Sequence, residues 1–305
     1  MHEMNETVLV TGGAGFIGSH LAARLIERGY QVRVLDNLLY GKLEWVPLRA
    51  QFMRGDIVDP DVCRRACEGV KGVFHAAAMS RAAPSNDAIE ACTQQNIVGT
   101  QNILMAAREA GARKLVYSGS STYYGNQPAP HREELRPDLL NFYALSKYAG
   151  EEYCRMFDRA LDFPTVILRY FNVYGPRQPE TGAYALVLGV FLRRWRDGQP
   201  LEIHGDGGQR RDFIHVDDVV ECNIAAYESG ARNVTLNVGS GENVSIQELA
   251  DMISPNQIRG PRRTADAAVT LADISLTTAT LGWRPRVPFA QGLDELKRIA
   301  ARNAA

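Results

Sequence analysis

No apolar run in this 305-residue sequence reaches the roughly 18 residues that a membrane-spanning helix needs. The amino end, Met1-His2-Glu3-Met4-Asn5-Glu6, is short and polar and holds no signal-peptide core. The expectation is a cytoplasmic chain with no membrane partner. Cysteine is scarce: Cys63, Cys67, Cys92, Cys154 and Cys222 are odd in number, scattered, and nowhere spaced as Cys-x-x-Cys. That pattern excludes a disulfide framework and gives no metal-ligand set, so reduced, mostly buried thiols and no metal are expected. A net charge of -1 gives no global field to draw nucleic acid. Basic runs, heptads and internal repeats are missing too. What remains is the composition of an ordinary globular protein, long enough for one large domain or two unequal ones sharing a cleft.

The β-branched run Thr7-Val8-Leu9-Val10-Thr11 suits a strand buried on both faces. It leads into Gly12-Gly13-Ala14-Gly15-Phe16-Ile17-Gly18 and a helix pattern from about Ile17 to Glu27. Glycines in this frame permit a tight turn and let backbone approach a pyrophosphate, which the helix amino terminus then receives. A second strand, Gln31 to Leu35, ends in Asp36, 21 residues after Gly15. There a carboxylate accepts hydrogen bonds from ribose hydroxyls and repels a ribose phosphate. Asn37 follows where an arginine would serve a phosphate, so NAD is favoured over NADP. A third strand, Gln51 to Arg54, closes on Gly55-Asp56-Ile57, placing Asp56 to meet the adenine amino group. After a helix pattern from Pro60 to Cys67 comes a strand from Gly72 to His75. Ala76, Ala77 and Ala78 continue it with side chains small enough to lie against a flat ring. His75 is expected to be hydrogen-bonded at a strand end and not catalytic. A long helix is expected from about Ala88 to Ala110, carrying Asn96.

The strand Lys114 to Tyr117 delivers Ser118-Gly119-Ser120-Ser121-Thr122-Tyr123-Tyr124-Gly125 at its carboxyl end, where ligands sit in an open parallel sheet. Tyr143 and Lys147, at helical spacing in a helix from Phe142 to Ala160, project from one face. A free phenol ionises near pH 10, and an adjacent ammonium pulls that down, making tyrosine a workable acid and base. Ser120 is placed to hydrogen-bond the same substrate oxygen. With Thr165 to Arg169 as a sixth strand, the alternation of strands and helices predicts a doubly wound α/β domain.

Beyond Tyr170 the chain becomes turn-rich. A helix is expected from about Tyr184 to Arg196, a strand at Leu201 to Ile203, and helices near Asp217–Glu228, Ser245–Met252 and Phe289–Ala301, as in a smaller lid-like domain. Two readings stand for Arg211: with Arg210 it clamps a diphosphate, or it pairs with Asp212 or Asp217 at the surface.

These motifs together resemble the extended short-chain dehydrogenase/reductases that modify nucleotide-linked sugars. The carriers are Thr11–Gly18, Asp56, Ser118–Gly125, Tyr143-x-x-x-Lys147, Arg169-Tyr170-Phe171-Asn172-Val173-Tyr174-Gly175-Pro176-Arg177 and Arg211–Asp218. The resemblance spans nearly the whole chain. It implies a Rossmann domain over residues 1–171 and a mainly substrate-binding portion over 172–305, with short segments returning to the first. It implies tightly carried NAD, with Gly12, Gly15, Phe16, Ile17, Gly18, Asp36, Asn37, Asp56 and Ile57 along the dinucleotide. Ala76, Ala77, Ala78, Asn96, Tyr143, Lys147 and Tyr170 complete that set. It further implies Ser120, Tyr143 and Lys147 as the catalytic groups, Asn172 and Arg211 at the diphosphate of the sugar nucleotide, with Arg263 a further candidate, and a homodimer.

Dehydratases and decarboxylases of that family carry an acid in the loop after the catalytic hydroxyl. Here Ser121 and Thr122 stand there, and neither protonates a leaving hydroxyl. The loop is more similar to the UDP-glucose 4-epimerase group, so a UDP-hexose is the expected substrate. Met79-Ser80-Arg81 departs from the more common residues near the hexose: Ser80 is expected at the sugar, and Arg81 either meets a uronate carboxylate or points to solvent.

Overall fold

The first apolar run forms β1 (Thr7–Thr11), and the glycine turn after it leads into α1 (Phe16–Glu27). The structure is a computed structural model and describes residues 6–80, 82–182, 185–261 and 267–302. β2 (Gln31–Asp36), β3 (Gln51–Arg54), α2 (Pro60–Cys67) and β4 (Gly72–His75) follow. The start of α2 is written locally: Pro60 takes the first helical position, and Asp59 Oδ1 accepts the N–H groups of Asp61 and Val62. The Ala76–Ala78 segment is not strand but irregular chain beyond β4.

The long helix expected from about Ala88 to Ala110 forms over 89–109, with a π-helical turn inside it. Behind the short α3 (Ala82–Asp87) come α4 (Ile89–Thr93), a π-helical turn at Gln94–Val98, and α5 (Gly99–Glu109). Apolar periodicity hides such a turn, because one extra residue rotates the face without ending the helix. β5 (Lys114–Ser120) runs further than expected, so Ser120 is its last residue. It passes into a 3₁₀ turn, Ser121–Tyr124, ahead of α6 (Phe142–Leu161) and β6 (Thr165–Tyr170).

The rest of the chain builds a smaller layer and then returns. β7 (Asn172–Tyr174), α7 (Val187–Arg196), β8 (Leu201–His204), β9 (Arg210–Arg211) and β10 (Phe213–His215) lead to α8 (Val216–Glu228) and β11 (Val234–Val238). α8 packs beside α1, where Glu221 pairs with Arg28 at 2.6 Å and with Arg24. β11 joins the main sheet, whose seven parallel strands run β11-β6-β5-β4-β1-β2-β3. Strand order reverses between β1 and β4, and that is where a crevice opens at the carboxyl ends.

Strand alternation divides the core. Val8 and Val10 face the α1/α8 side with Leu21, Leu25 and Val220, while Leu9 faces the α2/α5 side with Leu35, Cys63 and Ile103. A third cluster around Leu188, Leu201, Leu249 and Leu296 holds the smaller layer. All five cysteines are buried free thiols. Among the described residues no helix is long and apolar enough to cross a membrane.

Candidate active site

A cleft of about 1070 Å³ opens at the reversal point, between the sheet and the smaller layer. At one end stands the glycine turn. Gly12 has φ +69°, and a Cβ at Gly18 would lie 2.2 Å from the Gly12 carbonyl oxygen, so only glycine lets α1 begin this close to β1. No side chain caps α1, and its first turn holds no acid. Phe16, Ile17 and Gly18 therefore present the positive helix end to the cleft that they line, together with Gly12 and Gly15. This uncapped cradle fits the pyrophosphate of a dinucleotide.

Asp36 is buried, with Oδ2 accepting from Ala14 N–H at 3.0 Å and Oδ1 from Leu38 N–H at 2.8 Å. Those bonds fix the carboxylate at the cleft wall where a ribose would be read. Asp56 also lines the cleft, but its oxygens already receive Val58 N–H, Asn37 Nδ2 and both contacts of Gln95 Nε2 at 2.9–3.0 Å. Burial raises its pKa, yet these donors outweigh burial and hold it below the ordinary carboxylate value. Ile57, Ala76, Ala77 and Ala78 line the same wall. Gln95, delivered by the π turn, is a functional candidate that sequence reasoning missed. Its partner lies 39 residues away, so no local pattern marks it.

Asn96, expected along the dinucleotide, is engaged inside the protein. Its side chain is buried, with Oδ1 accepting Met79 N–H at 2.7 Å and Nδ2 donating to Met79 O and Ser146 Oγ. It clamps the Met79–Ser80 loop to α6. Tyr170 lines the cleft, but its hydroxyl donates to Asn223 Oδ1 at 2.8 Å and meets Ser118 Oγ at 3.1 Å, leaving its ring and backbone for a ligand. His75 lies between Thr11 Oγ1 and Thr100 Oγ1, and burial lowers its pKa to about 3, so it is neutral.

At the cleft's centre, β5 and α6 bring Ser120, Tyr143 and Lys147 to one wall. Asn141 Oδ1 caps α6 by accepting Ala144 N–H at 2.9 Å, and Ser85 Oγ accepts Tyr143 N–H at 3.0 Å. Tyr143 thus sits in a pinned first turn. Ser120 Oγ lies 2.9 Å from Thr122 Oγ1 and accepts Thr122 N–H at 3.3 Å. Lys147 is buried, its Nζ 4.2 Å from the Tyr117 ring centroid. Burial pulls its pKa down to about 8, while Glu151, one turn on, pushes the other way. The ammonium therefore stays mostly charged at neutrality.

Ser80, Ser121, Thr122, Asn172 and Arg211 also line the cleft. Asn172 Nδ2 donates to Asp212 O at 2.9 Å and Thr270 Oγ1 at 3.1 Å. Its amide hydrogens are thereby engaged inside the protein, while the residue lines the cleft. Asp212, one of the two partners considered for Arg211, is buried, and its carboxylate takes the N–H groups of Ser240, Gly241 and Ala272. Arg263 and Arg81 lie outside the described residues. Arg177 was missed as a site residue: at φ +67° it lines the cleft and its Nη1 donates to Ser19 Oγ on α1 at 3.0 Å. Beside it, Gln178 is buried in the cleft wall, and among the described residues neither end of its amide finds a partner.

The family described as the NAD dependent epimerase/dehydratase family matches residues 8–239. A UDP-glucose 4-epimerase of Mycolicibacterium smegmatis is 35% identical, with 93% of this chain and 95% of that protein covered. Among solved structures, the UDP-glucose 4-epimerase of Thermus thermophilus in complex with NAD superposes with a TM-score of 0.89 at 34% identity, covering 98% of this chain and 100% of that one. UDP-N-acetylglucosamine 4-epimerase from Methanobrevibacter ruminantium, in complex with UDP-N-acetylmuramic acid, does so with a TM-score of 0.92 at 32% identity, covering 96% and 97%.

Proposed function

This chain belongs to the NAD dependent epimerase/dehydratase family, and on that premise we propose that it inverts carbon 4 of a nucleotide-diphosphate hexose, a UDP-hexose first, through a transient 4-keto sugar. Its cofactor is NAD, which when bound supplies a reversible hydride acceptor. Gly12, Gly15 and the first turn of α1 hold the pyrophosphate, and Asp36 the adenosine ribose. Tyr143 Oη takes the proton of the sugar 4-hydroxyl and returns it to the same oxygen after the ring has turned its other face. Ser120 Oγ donates to that oxygen and orients it. Lys147 stabilises the phenolate form and would bind the nicotinamide ribose. Arg211, with Arg263 as a second candidate, holds the diphosphate, so binding energy rests on the nucleotide and leaves the hexose free to turn.

The observation that carries this reading is convergence: phosphate cradle, hydroxyl loop and Tyr143/Lys147 all open on one cleft large enough for a dinucleotide beside a second nucleotide. Epimerisation is favoured over dehydration because the carboxylates lining the cleft are engaged elsewhere. Asp36 and Asp56 are held at the dinucleotide end, Glu180 pairs with Arg196 at 2.7 Å, and Glu202 with Arg194 at 2.9 Å. Among the described lining residues no acid stands beside Ser120.

We assign residues 1–171 mainly to NAD and 172–305 mainly to the nucleotide sugar, with the 216–238 segment serving the first. A homodimer is proposed through α5 and α6, which expose Met105 (44%), Leu145 (47%) and Met156 (54%). The test is incubation with UDP-glucose, UDP-N-acetylglucosamine and UDP-glucuronate, with carbon-4 configuration read by proton NMR. Inversion without added cofactor is expected. A product lacking the 6-hydroxyl, or a need for added reduced cofactor, would replace this reading with a dehydratase or a 4-ketoreductase.

A further inference from the structure

Beneath the cleft, the hydroxyl loop and α6 are joined by Arg169, a residue to which the reaction above gives no part. Arg169 on β6 is only 1% exposed, and it heads the largest fully buried side chains. Its Nε donates to both oxygens of Glu151 at 3.1 and 3.2 Å, and its Nη2 to Glu151 Oε2 at 2.9 Å. Nη1 donates to Tyr124 Oη at 3.0 Å and reaches Glu133 O at 3.4 Å, while Cζ lies 3.4 Å from the centroid of the Tyr123 ring. Its side-chain partners all belong to the catalytic surroundings. Glu151 follows Lys147 by one turn and Tyr143 by two on the same face of α6. Tyr123 and Tyr124 end the turn that begins at Ser121, directly after Ser120. Their hydroxyls are tied further, to Leu135 O at 2.8 Å and Asn237 Oδ1 at 2.6 Å.

A buried ion pair contributes little net stability compared with an apolar replacement, so its place here asks for a positional reason. Resting on the function proposed above, we propose that Arg169 is a positioning residue: stacked under Tyr123 and forked onto Glu151, it fixes the Ser120–Thr122 hydroxyls relative to Tyr143. Only a planar guanidinium offers a ring-stacking face and a carboxylate fork together, and lysine supplies neither.

The test uses the full chain with its bound NAD, carrying Arg169→Lys, which keeps a cation for Glu151, or Tyr123→Leu, which removes the stacked ring. In crystals of either variant, Ser120 is expected to move from Tyr143 by about 1 Å, with kcat falling roughly 100-fold. KM for the nucleotide sugar and the NAD retained on purification should match the parent. Unchanged kcat with a lowered Tm overturns the proposal, and so does parallel loss of kcat, KM and NAD. Should the parent invert no nucleotide sugar, the functional reading fails by itself. The Ser120–Tyr143 separation then still decides the positioning role: displacement in Arg169→Lys crystals supports it, and an unmoved loop overturns it.

Discussion

Lys147 is the residue in which burial and chemistry meet most directly. Its folded pKa of about 8 lies below the ordinary 10.5, so between those values the folded chain binds fewer protons here than the unfolded chain. Stability contributed by this group therefore rises with pH across that window, as the cost of burying a charge is relieved. Activity should run the other way. If the ammonium is needed to stabilise the phenolate, kcat/KM falls as pH rises through about 8, the titration of the free enzyme. A pH–rate profile flat up to about pH 10 would show that the charge of Lys147 is not used. Tyr143→Phe is expected to lower kcat about 10³-fold while NAD stays bound, measured by turnover and by cofactor released on denaturation. Both residues were legible because their relation is local, one helical turn. The internal partners of Asn96 and Asn172 were not legible, and Gln95 and Arg177 were missed, for the opposite reason. Their partners lie 17 to 158 residues away, so only the folded backbone reveals which amide hydrogens are already used.

Elements were legible wherever periodicity and capping agreed. β3, α2 and β4 have the bounds that their residues predict, with Asp59 and Pro60 marking the start of α2 and glycines standing at Gly55 and Gly72. The π turn at Gln94–Val98 left no such mark. It carries weight all the same, since it turns Gln95 toward Asp56 and Asn96 toward Met79. Asn96→Ala would leave the backbone N–H and C=O of Met79 and the hydroxyl of Ser146 short of a partner. The expected loss is about 2 kcal/mol of unfolding free energy, read by urea denaturation, with a higher KM as Ser80 loosens. A variant as stable as the parent would mean that water replaces the amide. At the other end of the cleft, Gly18→Ala places a methyl against the Gly12 carbonyl and must push α1 off β1. The protein should then purify without NAD, which absorbance of the denatured supernatant would check; full occupancy would show that the turn yields elsewhere.

At the scale of the molecule, the apolar side chains left outside on α5 and α6 are the proposed dimer face. Leu145→Glu together with Met156→Glu should convert the expected dimer to monomer in sedimentation velocity, and a parent that sediments as monomer removes the proposal. The doubly wound sheet itself was legible from the alternation of patterns. Its last strand was not, because Val234–Val238 is short and lies within the portion read as a lid. That strand has a consequence for how the molecule comes into being. During synthesis β6 waits with one flank bare until β11 emerges some sixty residues later, and Val166 and Leu168 stay uncovered on that side meanwhile. A protein cut after Phe171 would keep that flank bare for good, and we expect it to cling to its own copies rather than persist as a tidy half-enzyme.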